Sequence, residues 1–480
     1  MAAEHHQQTS SRQDGATRAD SSDRARALIV FGASGDLFER LLVPGLGTLL
    51  RSGSTQDLLL IGTGRSEVTD DEWRDRVSGA LQSEDEDGRD GQDAVDAVIS
   101  STRYLQGDPT EANHLRDLVA AADDRTPVLY FALPPSVVDD IVTALGDVDL
   151  PSDAVLAFEK PYGTDAASAA ALTQKVHGLV PEERVHRTDH FLTRSQVRGL
   201  LGLRFASGLL GPVWNAEHVS SVEVVYDETL ALEGRAQYYD NAGALVDMIQ
   251  SHLLQVLALI TMERPDLLEP TAFRDRISEV LAATSITGDD PRTSTRRGRY
   301  VAGEVEGKQV PGYLDEDGVE QDNDTETLAV IEVAVDTDRW RGVPITLRSG
   351  KAIGDPRQEI RIEFSVPEKT IDGLGEQAGP SVLRIPLKDG NAGIELPITS
   401  ADDPVRVATL EMSGPPPGGR LDPYGAVLAG VLGDDPLFSV REDAAVRCWE
   451  IIEPVLRAWQ AGEVPMDDYP AGSAGPETWT

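Results

Sequence analysis

Short apolar runs alternate with amphipathic stretches in the first third of the chain. ALIVF at 27–31 is a β-branched run that ends in the turn GASGDL (32–37), with a helix-like stretch following to Leu50. LLLIG at 58–62 is a second apolar strand; a helix capped around TDDE (69–72) and an acidic loop, SEDEDG (83–88), come after it. The alternation continues through VLYFA (128–132), a helix from Pro135, and AVLAF (154–158) before Glu159. Strands alternating with helices predict a parallel, doubly wound α/β sheet, placed at 27–190 behind a solvated, disordered tail at 1–26. Past residue 195, longer strands at 221–226, 329–335, 345–349 and 359–366 lie close together, with helices at 240–262 and 440–461. Runs of strands with few intervening helices predict an antiparallel or mixed sheet, hence an α+β second domain over 191–480.

Composition narrows the functional classes. Against 43 Lys plus Arg stand 82 Asp plus Glu, a formal charge of −39, which repels a nucleic-acid backbone, and no basic stripe offsets it. One cysteine, Cys448, rules out an intrachain disulfide and a thiolate metal cluster. The longest apolar candidate for a membrane span, 253–262, is interrupted by Gln255 and too short, and residues 1–26 hold no signal-like apolar core. A cytoplasmic protein with no nucleic-acid or membrane partner is expected. Only six lysines occur; an acid-rich, lysine-poor surface fits a salty cytoplasm and fits equally a GC-rich genome.

Four patterns carry candidate chemistry. Gly32 and Gly35 form a turn after the first strand of an alternating fold, where backbone N–H groups and a helix N-terminus can receive a pyrophosphate; the same turn can be plain punctuation. The second strand ends in GTGRS (62–66), and Arg65 there suits the 2′-phosphate of NADP, although Glu67 keeps NAD open and a surface arginine would look the same. RTDHFLTR (187–194) gathers an acid, a histidine and two arginines; Arg194 and His190 could bind an anionic substrate, or the Asp-His pair could be a simple cap. On a regular helical wheel, His252 shares a face with Leu245, Met248, Ile249 and Val256, the setting of a core histidine, and Asp247 falls about 140° away.

Taken together these motifs resemble the glucose-6-phosphate dehydrogenase family. The resemblance runs from FGASGDL (31–37) through FALPP (131–135), EKPYG (159–163), RTDHFLTR (187–194), EGR (233–235), residues 239–255 and RSGKA (348–352). It implies a Rossmann-like coenzyme domain and a C-terminal domain with a large, mostly antiparallel sheet, through which chains pair as a homodimer or a dimer of dimers. It also implies oxidation of the anomeric carbon of glucose 6-phosphate with NADP, or NAD in some members, and no metal. His252 matches the base and Asp189 the carboxylate that orients it; a histidine so bonded is held in one tautomer and stabilised as the imidazolium. Lys160, Glu228 and Asp247 match residues that contact the sugar or lie between sugar and nicotinamide, and His190 and Lys351 match phosphate ligands. Coenzyme contacts are expected from Gly32, Ser34, Gly35, Asp36, Leu37, Arg65, Ser66, Pro134 and Lys160.

Departures from the family pattern fall at Phe191, where a tyrosine is usual, at Thr193, Arg194 and Ser195 in place of Gly-Lys-Glu, and at Leu41, Val246 and Ser251. The phosphate pocket thereby loses a hydroxyl and exchanges an ammonium for a guanidinium, which leaves another 6-phosphorylated or 6-anionic hexose as an alternative substrate. A non-catalytic paralogue that binds nucleotide or sugar phosphate is the other alternative. Both expected substrates are anions, so a field of this sign slows their approach at low salt while self-repulsion weakens the fold, and added salt screens both effects. Activity and melting temperature are therefore expected to rise as KCl is first added; a monotonic fall of both toward molar KCl would refute salt adaptation.

Overall fold

The computed structural model describes residues 25–479 apart from 54–56, 82–90, 233–235, 368–370, 372–373 and 375–378. The acidic loop at 83–88, the EGR motif at 233–235 and the tail up to residue 24 lie outside the described residues. Six parallel strands form the first sheet: β1 (Arg26–Phe31), β2 (Leu58–Gly64), β3 (Arg103–Gln106), β4 (Thr126–Phe131), β5 (Val155–Phe158) and β6 (Val185–Arg187), in the order β3-β2-β1-β4-β5-β6. This is the Rossmann order, in which chain direction across the sheet reverses between β1 and β4 and opens a crevice at their C-terminal ends. The tail was expected to reach residue 26, but Arg26 already pairs with Leu58 and Thr126 in β1. β3 and β6 carry no apolar run (RYLQ and VHR), because neighbouring strands rather than their own pattern hold them in place.

The second sheet has ten strands and is mixed. In spatial order its path runs Val407–Gly414, Ala392–Thr399, Val382–Pro386, Gln358–Phe364, Val219–Asp227, Ile345–Gly350, Leu328–Val335, Thr295–Val301 and Met466–Pro470, with Thr284–Ile286 paired to Leu328–Val335. Most pairings are antiparallel; Val219–Asp227 with Ile345–Gly350, and Thr295–Val301 with Met466–Pro470, are parallel. The first of these parallel pairs positions part of the site.

Between the sheets lies a continuous apolar core that includes Ile29 and Phe158 from the first sheet, Val224 and Leu347 from the second, and Leu257 and Ile452 from the helices between them. Its central helical stretch, Tyr239–Thr261, is 23 residues long with a mean hydropathy of 1.5. Length and composition would let it cross a membrane, contrary to the expectation that no stretch reaches that length. Most of it is buried inside the protein, where the same apolar surface packs against protein. Its last carbonyls, which have no partners within the helix, accept from buried side chains: Trp214 Nε1 bonds Ile260 O at 2.9 Å, Trp340 Nε1 bonds Thr261 O at 2.8 Å, and Arg204 bonds Leu259 O at 2.6 Å. Helix Pro423–Gly433 folds back onto helix Val43–Arg51 beside the first sheet, so closely that a Cβ on Gly45 would lie 2.7 Å from Gly425 N.

Candidate active site

The register of β5 and β6 fixes the first half of the site. Phe158 pairs with Arg187, so the residues just beyond each strand, Lys160 and Asp189, emerge side by side at the C-terminal edge of the parallel sheet. Asp189 caps the short helix His190–Thr193, its Oδ1 accepting from Phe191 N at 2.8 Å. The same Oδ1 lies 2.6 Å from His252 Nδ1, and both residues are almost wholly buried, at 3% and 1% exposure. Phe191 stacks on one face of the His252 ring at 4.4 Å and His190 meets the ring at a steep angle at 4.7 Å, so two aromatic neighbours pack against the imidazole.

The second half comes from the core helix and the second sheet. Residues Leu245–Leu253 form a π-helix, in which backbone bonds reach five residues back; the Leu254 N–H still bonds Ile249 O. On this wider turn Asp247 and His252 are stacked neighbours, and the expected 140° separation, drawn for regular α-helix, does not hold. Lys160 Nζ donates to the Asp247 carboxylate at 2.5 Å and to its backbone carbonyl at 3.0 Å. In the parallel pair of the second sheet Asp227 lies opposite Gly350, so the next residues, Glu228 and Lys351, meet as an ion pair of 2.7 Å. Lys351 Nζ also lies 5.0 Å from the centre of the Tyr239 ring.

Electrostatics sort these groups. Burial alone would raise the Asp247 carboxyl, but Lys160 and Lys351 outweigh it and hold the group below its usual range. Burial first, and then the neighbouring His252, Arg194 and Lys160, push His190 well below the usual histidine range, so it offers a neutral imidazole near pH 7. Arg194 is half-buried, with its guanidinium 4.6 Å over the Phe191 ring and donating to Leu387 O at 3.1 Å.

At the sheet's switch point Gly32 adopts φ 84°, and a Cβ there would lie 2.4 Å from Ala132 O. The turn after β1 therefore closes against the loop after β4 that carries Pro134, a cradle only glycine allows. Ser34, Gly35 and Asp36 are exposed around it and Leu37 half-buried, and Ser34 Oγ sits 4.0 Å from where a Gly64 Cβ would lie at the end of β2. Arg65 and Ser66 are exposed just beyond, with Arg65 3.1 Å from Asp108. These residues fit a dinucleotide: a close-approach turn at a helix start, with a cation at the end of the second strand.

Three contributors had no signal in the sequence reading. Tyr424, from helix Pro423–Gly433, stacks on His190 at 5.3 Å. Tyr130 in β4 donates to Glu159 Oε1, the residue before Lys160. Glu326 Oε1 accepts from Leu245 N at 2.9 Å and so holds the start of the π-helix; Gly243, at φ 65°, leaves room for it, since a Cβ there would lie 2.4 Å from Glu326 Oε1. All three depend on contacts between distant parts of the chain, which local patterning does not encode.

A Rossmann-ordered sheet with a glycine cradle at its switch point, and a buried Asp-His pair at the same edge, defines a dinucleotide-dependent dehydrogenase. The family models described as "Glucose-6-phosphate dehydrogenase, NAD binding domain" and "Glucose-6-phosphate dehydrogenase, C-terminal domain" match residues 29–199 and 201–480. This chain belongs to the glucose-6-phosphate dehydrogenase family. Glucose-6-phosphate 1-dehydrogenase of Gluconobacter oxydans (strain 621H) is 37% identical over 468 residues, 94% of each chain, and that of Rhizobium meliloti (strain 1021) is 34% identical over 464 residues, 93% of this chain and 94% of the relative. A solved glucose-6-phosphate dehydrogenase in complex with its substrate glucose 6-phosphate superposes with a TM-score of 0.85 at 29% identity, covering 95% of this chain and 96% of that one. The enzyme from Mycobacterium avium gives a TM-score of 0.81 at 30% identity, with the same coverage.

Burial pushes the Glu326 carboxyl up to about 7. With a folded pKa above the unfolded one, the folded state binds the extra proton, so its contribution to stability is full below the ordinary carboxylate range and is lost as pH rises toward about 7. Glu326→Gln keeps an oxygen for Leu245 N–H and cannot ionise. Its melting temperature relative to wild type is expected to grow between about pH 5 and about pH 7 and then level off; a difference independent of pH would show that Glu326 does not titrate there.

Proposed function

We propose that this protein is a glucose-6-phosphate 1-dehydrogenase that oxidises the anomeric hydroxyl to the lactone with NADP as acceptor, in the cytoplasmic oxidative branch of sugar-phosphate metabolism. The observation that carries the reading is the buried 2.6 Å contact between His252 Nδ1 and Asp189 Oδ1, beside Lys160 at the coenzyme edge of the sheet. Asp189 fixes the proton on Nδ1, which leaves Nε2 as the nitrogen that receives the proton of the anomeric hydroxyl, and it stabilises the imidazolium that results. When bound, the nicotinamide supplies the acceptor for the hydride that leaves the same carbon. Lys160 and Asp247 orient the sugar between the pair and the coenzyme, while Lys351 and neutral His190 bind its phosphate as cation and hydrogen-bond donor. A chain freed from catalysis would have no use for a buried carboxylate on a buried imidazole, which argues against a non-catalytic paralogue.

Preference for NADP rests on Arg65. Its ion pair with Asp108 is largely solvent-exposed and therefore weak, so a 2′-phosphate can replace it. Pairing of chains is proposed through the second sheet, whose outer hairpin exposes Ile398, Leu410 and Met412. Sedimentation at a multiple of the 51.7 kDa chain mass is the expected result, and a monomer would refute it.

The first assay is reduced-coenzyme formation from glucose 6-phosphate with NADP and with NAD, for wild type, His252→Ala and Arg65→Ala. Wild type should turn over with NADP preferred, His252→Ala should lose about a thousandfold or more in kcat, and Arg65→Ala should raise KM for NADP but not for NAD. Equal or better turnover of another hexose 6-phosphate or 6-anionic hexose would move the substrate assignment to that sugar, as the replacements at Phe191, Thr193 and Arg194 allow.

A further inference from the structure

Gln255 closes the matched stretch 239–255 and is a polar residue of it that the chemistry above leaves unused. It is 2% exposed on Leu254–Thr261, a helix otherwise apolar up to its last residue, Thr261. A buried amide costs free energy unless both its ends are hydrogen-bonded. Its Nε2 donates to Cys448 Sγ at 3.3 Å, a weak acceptor; burial raises that thiol to about 12 and keeps it neutral. Gln255 Oε1 meets no donor among the described residues. Asp189 shares the feature: Oδ1 takes both His252 and Phe191, while Oδ2 is buried and meets no donor among the described residues. Arg187 donates through Nη1 to Glu182 and lies 4.5 Å over the Tyr162 ring, and its buried Nε and Nη2 meet no hydrogen-bond acceptor by geometry among the described residues.

Asp189, Gln255 and Arg187 all line one small, half-open pocket beside the Asp-His pair, with Cys448, Ser251 and Lys160 in the same wall, and its volume is about 40 Å³. An internal water needs about 10–15 Å³ of such space and two to four polar partners. Two acceptors and a donor are the complement of a water molecule, which donates twice and accepts. We propose that this cavity is a hydration site, and that Gln255, acting through it, is a positioning residue for the Asp189–His252 pair. A donor on Oδ2 fixes the rotation of the carboxylate, and with it the direction in which Oδ1 holds the imidazole. That direction decides whether Nε2 meets the anomeric hydroxyl at reacting distance. The inference rests on the role of the pair set out above.

Gln255→Met keeps the side-chain length and removes the amide. It is expected to lower kcat about 10- to 100-fold while KM for glucose 6-phosphate and for coenzyme stays within about twofold. The acid limb of the kcat/KM profile should move to higher pH, because the charge on Asp189 is then less shared with a bonded donor and favours the imidazolium; a merely structural role would not move it. Gln255→Asn, which retains an amide and leaves room for further solvent, should recover most of kcat. A folded Gln255→Met enzyme with wild-type kcat and pH profile overturns the proposal. So does a high-resolution crystal structure of the wild-type enzyme with no solvent molecule bonded to Asp189 Oδ2, and that measurement decides alone if Gln255→Met does not fold. Loss of turnover in His252→Ala tests the pair itself, so a silent Gln255→Met beside an inactive His252→Ala removes only the hydration site.

Discussion

A carboxylate withdrawn from water must be paired or it takes up a proton, and Asp189 is withdrawn almost completely. Its partner, His252, stands on a helix more than sixty residues away in sequence, in the layer between the two sheets. Much of the architecture around the site serves that meeting. β6 ends where Asp189 must stand, the short helix after it consumes one lone pair of Oδ1, and Phe191 and His190 from that helix pack against the imidazole. A pair this buried also ties the first sheet to the core helix packed on the second, so that relative motion of the two would break a charge-assisted bond in low dielectric.

The π-helix is what makes one helix serve two tasks. A regular helix presenting His252 to Asp189 would turn Asp247 away from it. With bonds reaching five residues back, Asp247 and His252 face the same side, and Lys160 can take both the side chain and the carbonyl of Asp247. Widened turns are unstable in isolation, and Glu326 and Gly243 at the start of this one supply a bonded entry, while Trp214, Trp340 and Arg204 close its continuation at the far end. The distortion is therefore held from both ends by groups outside the helix.

These supports also mark where reading the chain alone runs out. Apolar strands such as 27–31, 58–62 and 329–335 announce themselves because each is buried on its own account. Thr295–Val301, with three arginines, and Met466–Pro470, with two aspartates, do not, since partner strands and ion pairs such as Arg297 with Asp324 make burial tolerable. The pairing of Asp189 with His252 entered through resemblance; spacing alone left His252 a core histidine. Regular-helix geometry misplaced Asp247, and nothing local pointed to Tyr424 or Glu326. The chain pattern predicts the helix at 240–262 but not its 23-residue apolar length, because polar residues within it, Asp247 and His252 of the candidate site among them, interrupt the hydropathy pattern.

Charge gives the site its last constraint. Over a chain of −39, an anionic substrate needs cations that the rest of the surface does not already neutralise. Lys160 and Lys351 are both held by acids, Asp247 at 2.5 Å and Glu228 at 2.7 Å. Such pairs hold each half-buried ammonium against a carboxylate before substrate arrives. They also keep the net charge of the pocket near zero until then, so that a sugar phosphate binds by exchanging partners rather than by meeting a bare cation. With His190 neutral, discrimination in the proposed reading falls on geometry: a phosphate at the right distance from Lys351 and His190, and a hydroxyl within reach of Lys160 and His252, would satisfy these groups together, whereas an anion lacking the sugar would meet only half of them.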